Sequence, residues 1–197
     1  MKKATKLMAI AGTAIAIFFA TNVKAQTTPP SAWRLGIGVE GGLPTGNIHS
    51  GQYFGNTFYK SGFDLGGTAR LQYGIDKNVA LMLTSGYYNF FGKNYTTPPV
   101  LVGSTVTTVT AKSPNFGLIP VKAGAKVFFN SPIYISGEAG AGFETRSEGS
   151  TKLLLSPGIG WANKSWDIGA RYENFSSAGF KDTYGLVNLR VAYGFTL

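Results

Sequence analysis

Cysteine is absent from the 197 residues, histidine occurs once, and only nine acids stand against eighteen lysines and arginines. The missing cysteine excludes disulfides, thiolate chemistry and lipidation of a cysteine. A single histidine without cysteine leaves no cluster with transition-metal spacing, so neither a metal nor any other cofactor is expected. Apart from residues 7–20, no stretch approaches the ~20 apolar residues of a membrane helix. The chain is instead rich in glycine and in aromatic residues: 27 glycines, 14 phenylalanines, 10 tyrosines and 3 tryptophans. With so few charges, this composition fits neither a disordered chain nor an ordinary helical domain.

The N-terminus reads as a targeting segment. Lys2, Lys3 and Lys6 precede an apolar run over 7–20, and Val23 and Ala25 supply small residues at the positions a signal peptidase reads. The expectation is a signal peptide over 1–25, a short leader over 26–32 and one domain over 33–197. Loss of residues 1–25 removes four of the eighteen basic residues and no acid, which leaves a net charge of +5. The remaining basic residues are scattered and form no stripe, so no nucleic acid partner is expected.

Period two recurs along the rest of the chain, as in strands with two unlike faces. Trp33, Leu35, Ile37 and Val39 alternate with Arg34, Gly36, Gly38 and Glu40. The same alternation marks residues 63–73, 79–90, 119–128, 133–143, 152–161, 166–173 and 187–197, which makes eight strands. Tight connections at 75–78, 129–132 and 162–165 alternate with long ones at 44–62, 91–114, 144–150 and 174–185. Short turns therefore share one rim and long loops the other. The last strand, "VNLRVAYGFTL", runs to Leu197 without a polar tail, as expected of a strand that seals against the first.

Eight such strands close either as a soluble barrel with the apolar face inward or as a membrane barrel with it outward. Three features favour the membrane. Ten glycines (Gly36, Gly38, Gly66, Gly124, Gly140, Gly142, Gly158, Gly160, Gly169 and Gly194) share the charged face, and a narrow lumen needs small residues beside long ones. Trp33, Trp161 and Trp166 gather on the apolar face near the short turns, while Phe63, Tyr87, Phe143 and Tyr172 mark its other end. The loop asymmetry is that of outer-membrane barrels. The fold class is all-β: an eight-stranded antiparallel up-and-down transmembrane β-barrel of the bacterial outer membrane.

The eight alternating strands, "IPVKAGAKVFF", "YISGEAGAGF" and the terminal "VAYGFTL" resemble the outer-membrane β-barrel domain family of Gram-negative bacteria, often labelled porin family proteins. The resemblance covers nearly all of the chain beyond residue 25 and implies architecture rather than activity. It implies that Phe195 is the aromatic read by the barrel insertion machinery, although the chain ends on Leu197 rather than on an aromatic.

Twelve charged residues fall on the inward face: Arg34, Glu40, Asp64, Arg70, Lys122, Lys126, Glu138, Lys152, Asp167, Arg171, Glu173 and Arg190. They form either an ion-pair network filling a narrow lumen or the lining of a conduit, and the small bore favours the network. His49 and Ser50 lie in the first long loop with no strand to orient them, so no catalytic residue is assigned. The runs "GIGVEGG" and "GEAGAG" open no helix and are lumen glycines rather than phosphate loops. The functional expectation is a non-enzymatic barrel with a structural or surface-interaction role. A narrow passive channel, a lipid-modifying enzyme and a soluble ligand-binding barrel are the alternatives, in that order. Expected partners are outer-membrane lipid and lipopolysaccharide, the insertion machinery and an extracellular ligand at the long loops.

Overall fold

The computed structural model describes residues 29–54, 56–96, 100–102, 105–129, 131–146, 149–177 and 183–197. The expected signal peptide over 1–25 lies outside the described residues. Eight strands form one closed barrel: β1 (Trp33–Gly46), β2 (Ser61–Asp76), β3 (Val79–Gly92), β4 (Phe116–Phe128), β5 (Ile133–Glu144), β6 (Thr151–Ala162), β7 (Trp166–Ser176) and β8 (Tyr184–Thr196). Each strand pairs antiparallel with its neighbour in sequence, and β1 closes the cylinder against β8 from Arg34 opposite Thr196 to Gly46 opposite Tyr184. Closure satisfies the backbone of both terminal strands, which a hydrocarbon environment demands. The Leu197 amide adds a bond to the Trp33 carbonyl at 3.0 Å.

Alternation sets the two faces. Ile37, Leu189 and Val191 are 57 %, 62 % and 40 % exposed, whereas Glu40, Lys126 and Arg190 are 1 %, 0 % and 3 % exposed. The apolar side is the outside of the cylinder. Trp33, Tyr73, Trp166 and Tyr193 ring the short-turn rim, with Trp33 tilted against Tyr73 at 4.7 Å and Trp166 set edge-on 5.3 Å from Tyr193. Trp161 departs from the expected exposed girdle. Its register opposite Ile133 and Ile168 puts it on the outer face, but it is only 8 % exposed.

Two prolines interrupt the wall without shifting the register. Between β6 and β7, Leu155 pairs with Asn174 and Gly158 with Arg171, but Ser156 and Pro157 have no ladder partner there. Between β3 and β4 the break falls at Pro120, between the Leu118–Tyr88 and Val121–Ser85 pairs. Proline carries no N–H to give to the ladder.

The strands run several residues past the expected ends, and the long connections carry further structure above that rim. Gln52–Phe54 pairs with Thr57–Tyr59, Asn94–Thr96 with Thr110–Lys112, and Val100–Val102 with Thr105–Thr107. A four-residue helix, α1 (Asn47–Ser50), turns the chain between Gly46 and Gly51, whose φ angles of 68° and 104° only glycine adopts without strain. At the opposite rim the leader is stapled to β2: the Ser31 amide bonds to Gly74 O at 2.8 Å and the Gly74 amide to Ala32 O at 3.1 Å.

Candidate functional site in the lumen and at the long-loop rim

The lumen fills in three layers because inward side chains stack by height along the strands. At the short-turn end, Phe128, Tyr134 and Ala162 form a small apolar ring. Arg34 lies at this end and donates to the Asn163 carbonyl at 3.0 Å. Its guanidinium occupies the space that a side chain at Gly194 would need, which is what glycine there is for.

Above the ring, nine of the twelve inward charges join one network. Arg70 meets Glu138 at 2.8 Å and Asp167 at 3.7 Å, and Lys126 meets Asp167 at 2.6 Å. Arg171 pairs with Glu40, lies 2.8 Å from Glu173 and 3.6 Å from Glu138, while Lys122 pairs with Glu173. Arg190 closes the set, 3.2 Å from Glu40 and 3.6 Å from Asp167. Hydroxyls and an amide add further bonds to the carboxylates: Thr68 on Glu40 at 2.7 Å, Asn188 on Glu40 at 2.9 Å, Thr84 on Glu138 at 2.5 Å and Tyr134 on Asp167 at 2.6 Å. Buried ions of this kind require dense pairing, because each has lost its hydration.

Asp64 and Lys152 stand apart from the network, nearer the long-loop end. Asp64 is buried against Gly42 and takes no side-chain hydrogen bond among the described residues. Lys152 donates to Ser177 at 2.5 Å. Here a third layer caps the bore. Tyr88, Phe90, Phe116, Leu118, Leu154, Phe175, Tyr184 and Leu186 are joined by Ile48, Phe54 and Tyr59 folded in from the first loop. Phe90 stacks parallel on Phe116 at 4.6 Å, and Phe175 on Tyr184 at 4.9 Å. Arg146 lies 3.5 Å from the centre of the Phe54 ring and pairs with Glu144 at 2.7 Å, and the Tyr184 hydroxyl donates to Glu144 at 2.8 Å.

Sequence reading missed this cap, although strand parity contains it. Tyr88 and Phe90 share parity with Thr84, Phe116 and Leu118 with Lys122, Phe175 with Glu173, and Tyr184 and Leu186 with Arg190. His49 and Ser50 are exposed on α1. Among the described residues no three His, Asp or Glu side chains gather into a possible metal site. Phe195 is 49 % exposed on the outer face, with its ring 5.0 Å from Tyr193.

At the long-loop rim, backbone hydrogen bonds join the segments that carry Lys60, Lys93 and Lys112 where the first two long connections leave the barrel. The Lys93 amide donates to the Lys60 carbonyl at 2.8 Å, and the Ser113 amide, next to Lys112, to the Lys93 carbonyl at 3.1 Å. Phe58 packs on Tyr95 at 4.3 Å and ties the two connections together. Tyr53 remains 64 % exposed at the top.

A hydrocarbon belt around a polar, filled cylinder, with short turns on one rim and long hairpins on the other, defines an integral outer-membrane β-barrel. Among solved structures the chain is similar to Ail, the attachment invasion locus protein of Yersinia pestis, at 16 % identity and TM-score 0.52, over 84 % of this chain and 99 % of that one. Ail in complex with the heparin analogue sucrose octasulfate matches with the same identity and coverage and TM-score 0.51. The outer membrane protein OprG from Pseudomonas aeruginosa matches at 9 % identity and TM-score 0.48, over 89 % of this chain and 99 % of that one. No family model and no curated protein matches the sequence. At these identities the likeness is one of fold. In outer-membrane barrels generally, short turns face the periplasm and long loops face outward.

Proposed function

We propose that the chain is a non-enzymatic outer-membrane barrel with a structural and surface-interaction role, anchored by its belt and carrying recognition on its outer hairpins. The observation that carries this reading is the filled bore: an eleven-residue apolar and aromatic cap above a nine-residue ion network supports neither a solute path nor an open catalytic cleft. His49 and Ser50, exposed on a four-residue helix, have no strand to hold a triad geometry.

The partners follow from surface chemistry. The belt takes outer-membrane lipid, and Lys60, Lys93 and Lys112 at the outer rim stand where lipopolysaccharide phosphates and other polyanions arrive. The last strand with Phe195 is the segment offered to the barrel insertion machinery. The sucrose octasulfate bound by Ail supports a sulfated or phosphorylated extracellular ligand for this rim.

Two measurements test the reading. The protein reconstituted in planar bilayers is expected to be silent; discrete conductance steps would replace the proposal with a narrow passive channel. Reconstituted in uncharged lipid vesicles, it is expected to bind sucrose octasulfate in a salt-dependent way, and joint substitution Lys60→Gln, Lys93→Gln and Lys112→Gln is expected to weaken binding at least tenfold. Binding unchanged by the triple substitution removes the rim from the proposal.

A further inference from the structure

The lumen network holds one more cation than it has carboxylates. Five bases, Arg70, Lys122, Lys126, Arg171 and Arg190, share four acids, Glu40, Glu138, Asp167 and Glu173. Over all twelve inward charges the count is seven bases to five acids. Three of the five network bases, Arg70, Arg171 and Arg190, line a void of about 10 Å³ together with Tyr134 and Ser136, and no carboxylate lines it. The space is enough for roughly one water molecule.

Arg190 is the guanidinium left short of acceptors. It is 3 % exposed, and its Nε lies 3.1 Å from the Thr68 hydroxyl and 3.2 Å from Glu40. Neither of its terminal nitrogens makes a hydrogen bond, since Asp167 stays 3.6 Å from Nη1. Arg70 is better served, with Nε on Thr84 at 2.9 Å and Nη2 on Glu138 at 2.8 Å. Buried guanidinium nitrogens without acceptors are costly, and what this void lacks is a negative charge.

We infer that the void is a site for one buried chloride ion, which accepts from the terminal nitrogens of Arg190 and from the Ser136 hydroxyl, with the Arg70 and Arg171 guanidiniums around it. Charge selects an anion over a water, because one monovalent ion brings the network to five charges against five. Size selects the ion. A monatomic halide is little larger than a water and enters with small side-chain shifts, whereas sulfate, phosphate or an organic carboxylate does not fit. The wall beside the void is an unbroken ladder, with Gly158 opposite Arg171, Ile159 opposite Ala170 and Gly160 opposite Gly169, so the ion is taken up as the lumen closes.

The test refolds the full chain into uncharged detergent micelles in sodium chloride, sodium bromide or sodium gluconate at equal ionic strength, so that screening is the same in all three. Folding is checked by the gel-mobility difference between unboiled and boiled samples. The thermal unfolding midpoint is expected to be about 5 °C higher in either halide than in gluconate, and to rise saturably as chloride replaces gluconate. Crystals grown in bromide are expected to show an anomalous scattering peak within hydrogen-bond reach of Arg190. Ser136→Val, which fills the void and removes the hydroxyl, and Arg190→Gln, which removes the surplus charge, are each expected to abolish the halide increment. Joint substitution Lys60→Gln, Lys93→Gln and Lys112→Gln is expected to leave it intact. Equal midpoints in the three salts overturn the site and leave the void to water. A halide increment that survives both Ser136→Val and Arg190→Gln, or that disappears with the three rim lysines, places the ion elsewhere and overturns it too. Should neither lumen variant fold, the unsubstituted protein still decides, because bromide crystals without a peak in the lumen overturn the site.

Discussion

Glu40 receives five partners: Arg171, Arg190, Thr68, Tyr88 and Asn188. Two of them are cations with no water to turn to, so neutralising this carboxylate leaves Arg171 and Arg190 under-compensated in the lumen. Glu40→Gln is expected to lower folding stability by roughly 3–5 kcal/mol, read from urea midpoints for folding into lipid vesicles. One residue along β8 from Arg190, the same chemistry reverses sign. Leu189 and Val191 face hydrocarbon, and Leu189→Arg or Val191→Arg is expected to cost about 2–4 kcal/mol near mid-bilayer in the same assay. If both arginines are neutral, the assignment of inside and outside is reversed.

At the scale of the strand, glycines on the two faces of the wall differ because parity decides what they meet. A Cβ added at Gly38 would lie 2.5 Å from the Ala192 Cβ and 2.7 Å from the Val191 carbonyl oxygen, both belonging to the facing strand β8. One added at Gly137, on the lipid side of β5, would meet nothing within 4 Å. Gly38→Ala is therefore expected to destabilise by about 1–3 kcal/mol through overpacking, while Gly137→Ala stays within ~0.5 kcal/mol, with thermal unfolding in detergent as the measurement. All eight strands and their pairing order were legible because period two is a strong signal wherever one face meets hydrocarbon and the other meets charge. Strand ends were not, since above the membrane both faces of β1 and β2 meet water or loops and the alternation fades. The aromatic cap was hidden for a related reason. Hydropathy treats Phe90 or Phe175 as a lipid-facing residue, and only its parity with Thr84 or Glu173 places it inside. Trp161 shows the limit of parity itself, which gives the face a side chain points to but not how far its neighbours cover it.

Across the whole molecule, the cap and the ion network are barriers in series along one bore, so opening either alone does not make a channel. Phe90 is the hub of the cap, stacked on Phe116 and set edge-on against Phe175 at 6.5 Å and Tyr184 at 6.1 Å. Phe90→Ala removes those contacts and is expected to cost about 3–5 kcal/mol, with retention of the compact unboiled gel band as the sign that the barrel still closes. Below the gap, Arg171, Glu40, Glu173 and Lys122 still span the lumen from β7, β1 and β4. The folded Phe90→Ala barrel is therefore expected to remain silent in planar bilayers. Conductance appearing in this variant alone would mean that the ion pairs part readily enough to pass ions, and that the aromatic cap was the only seal.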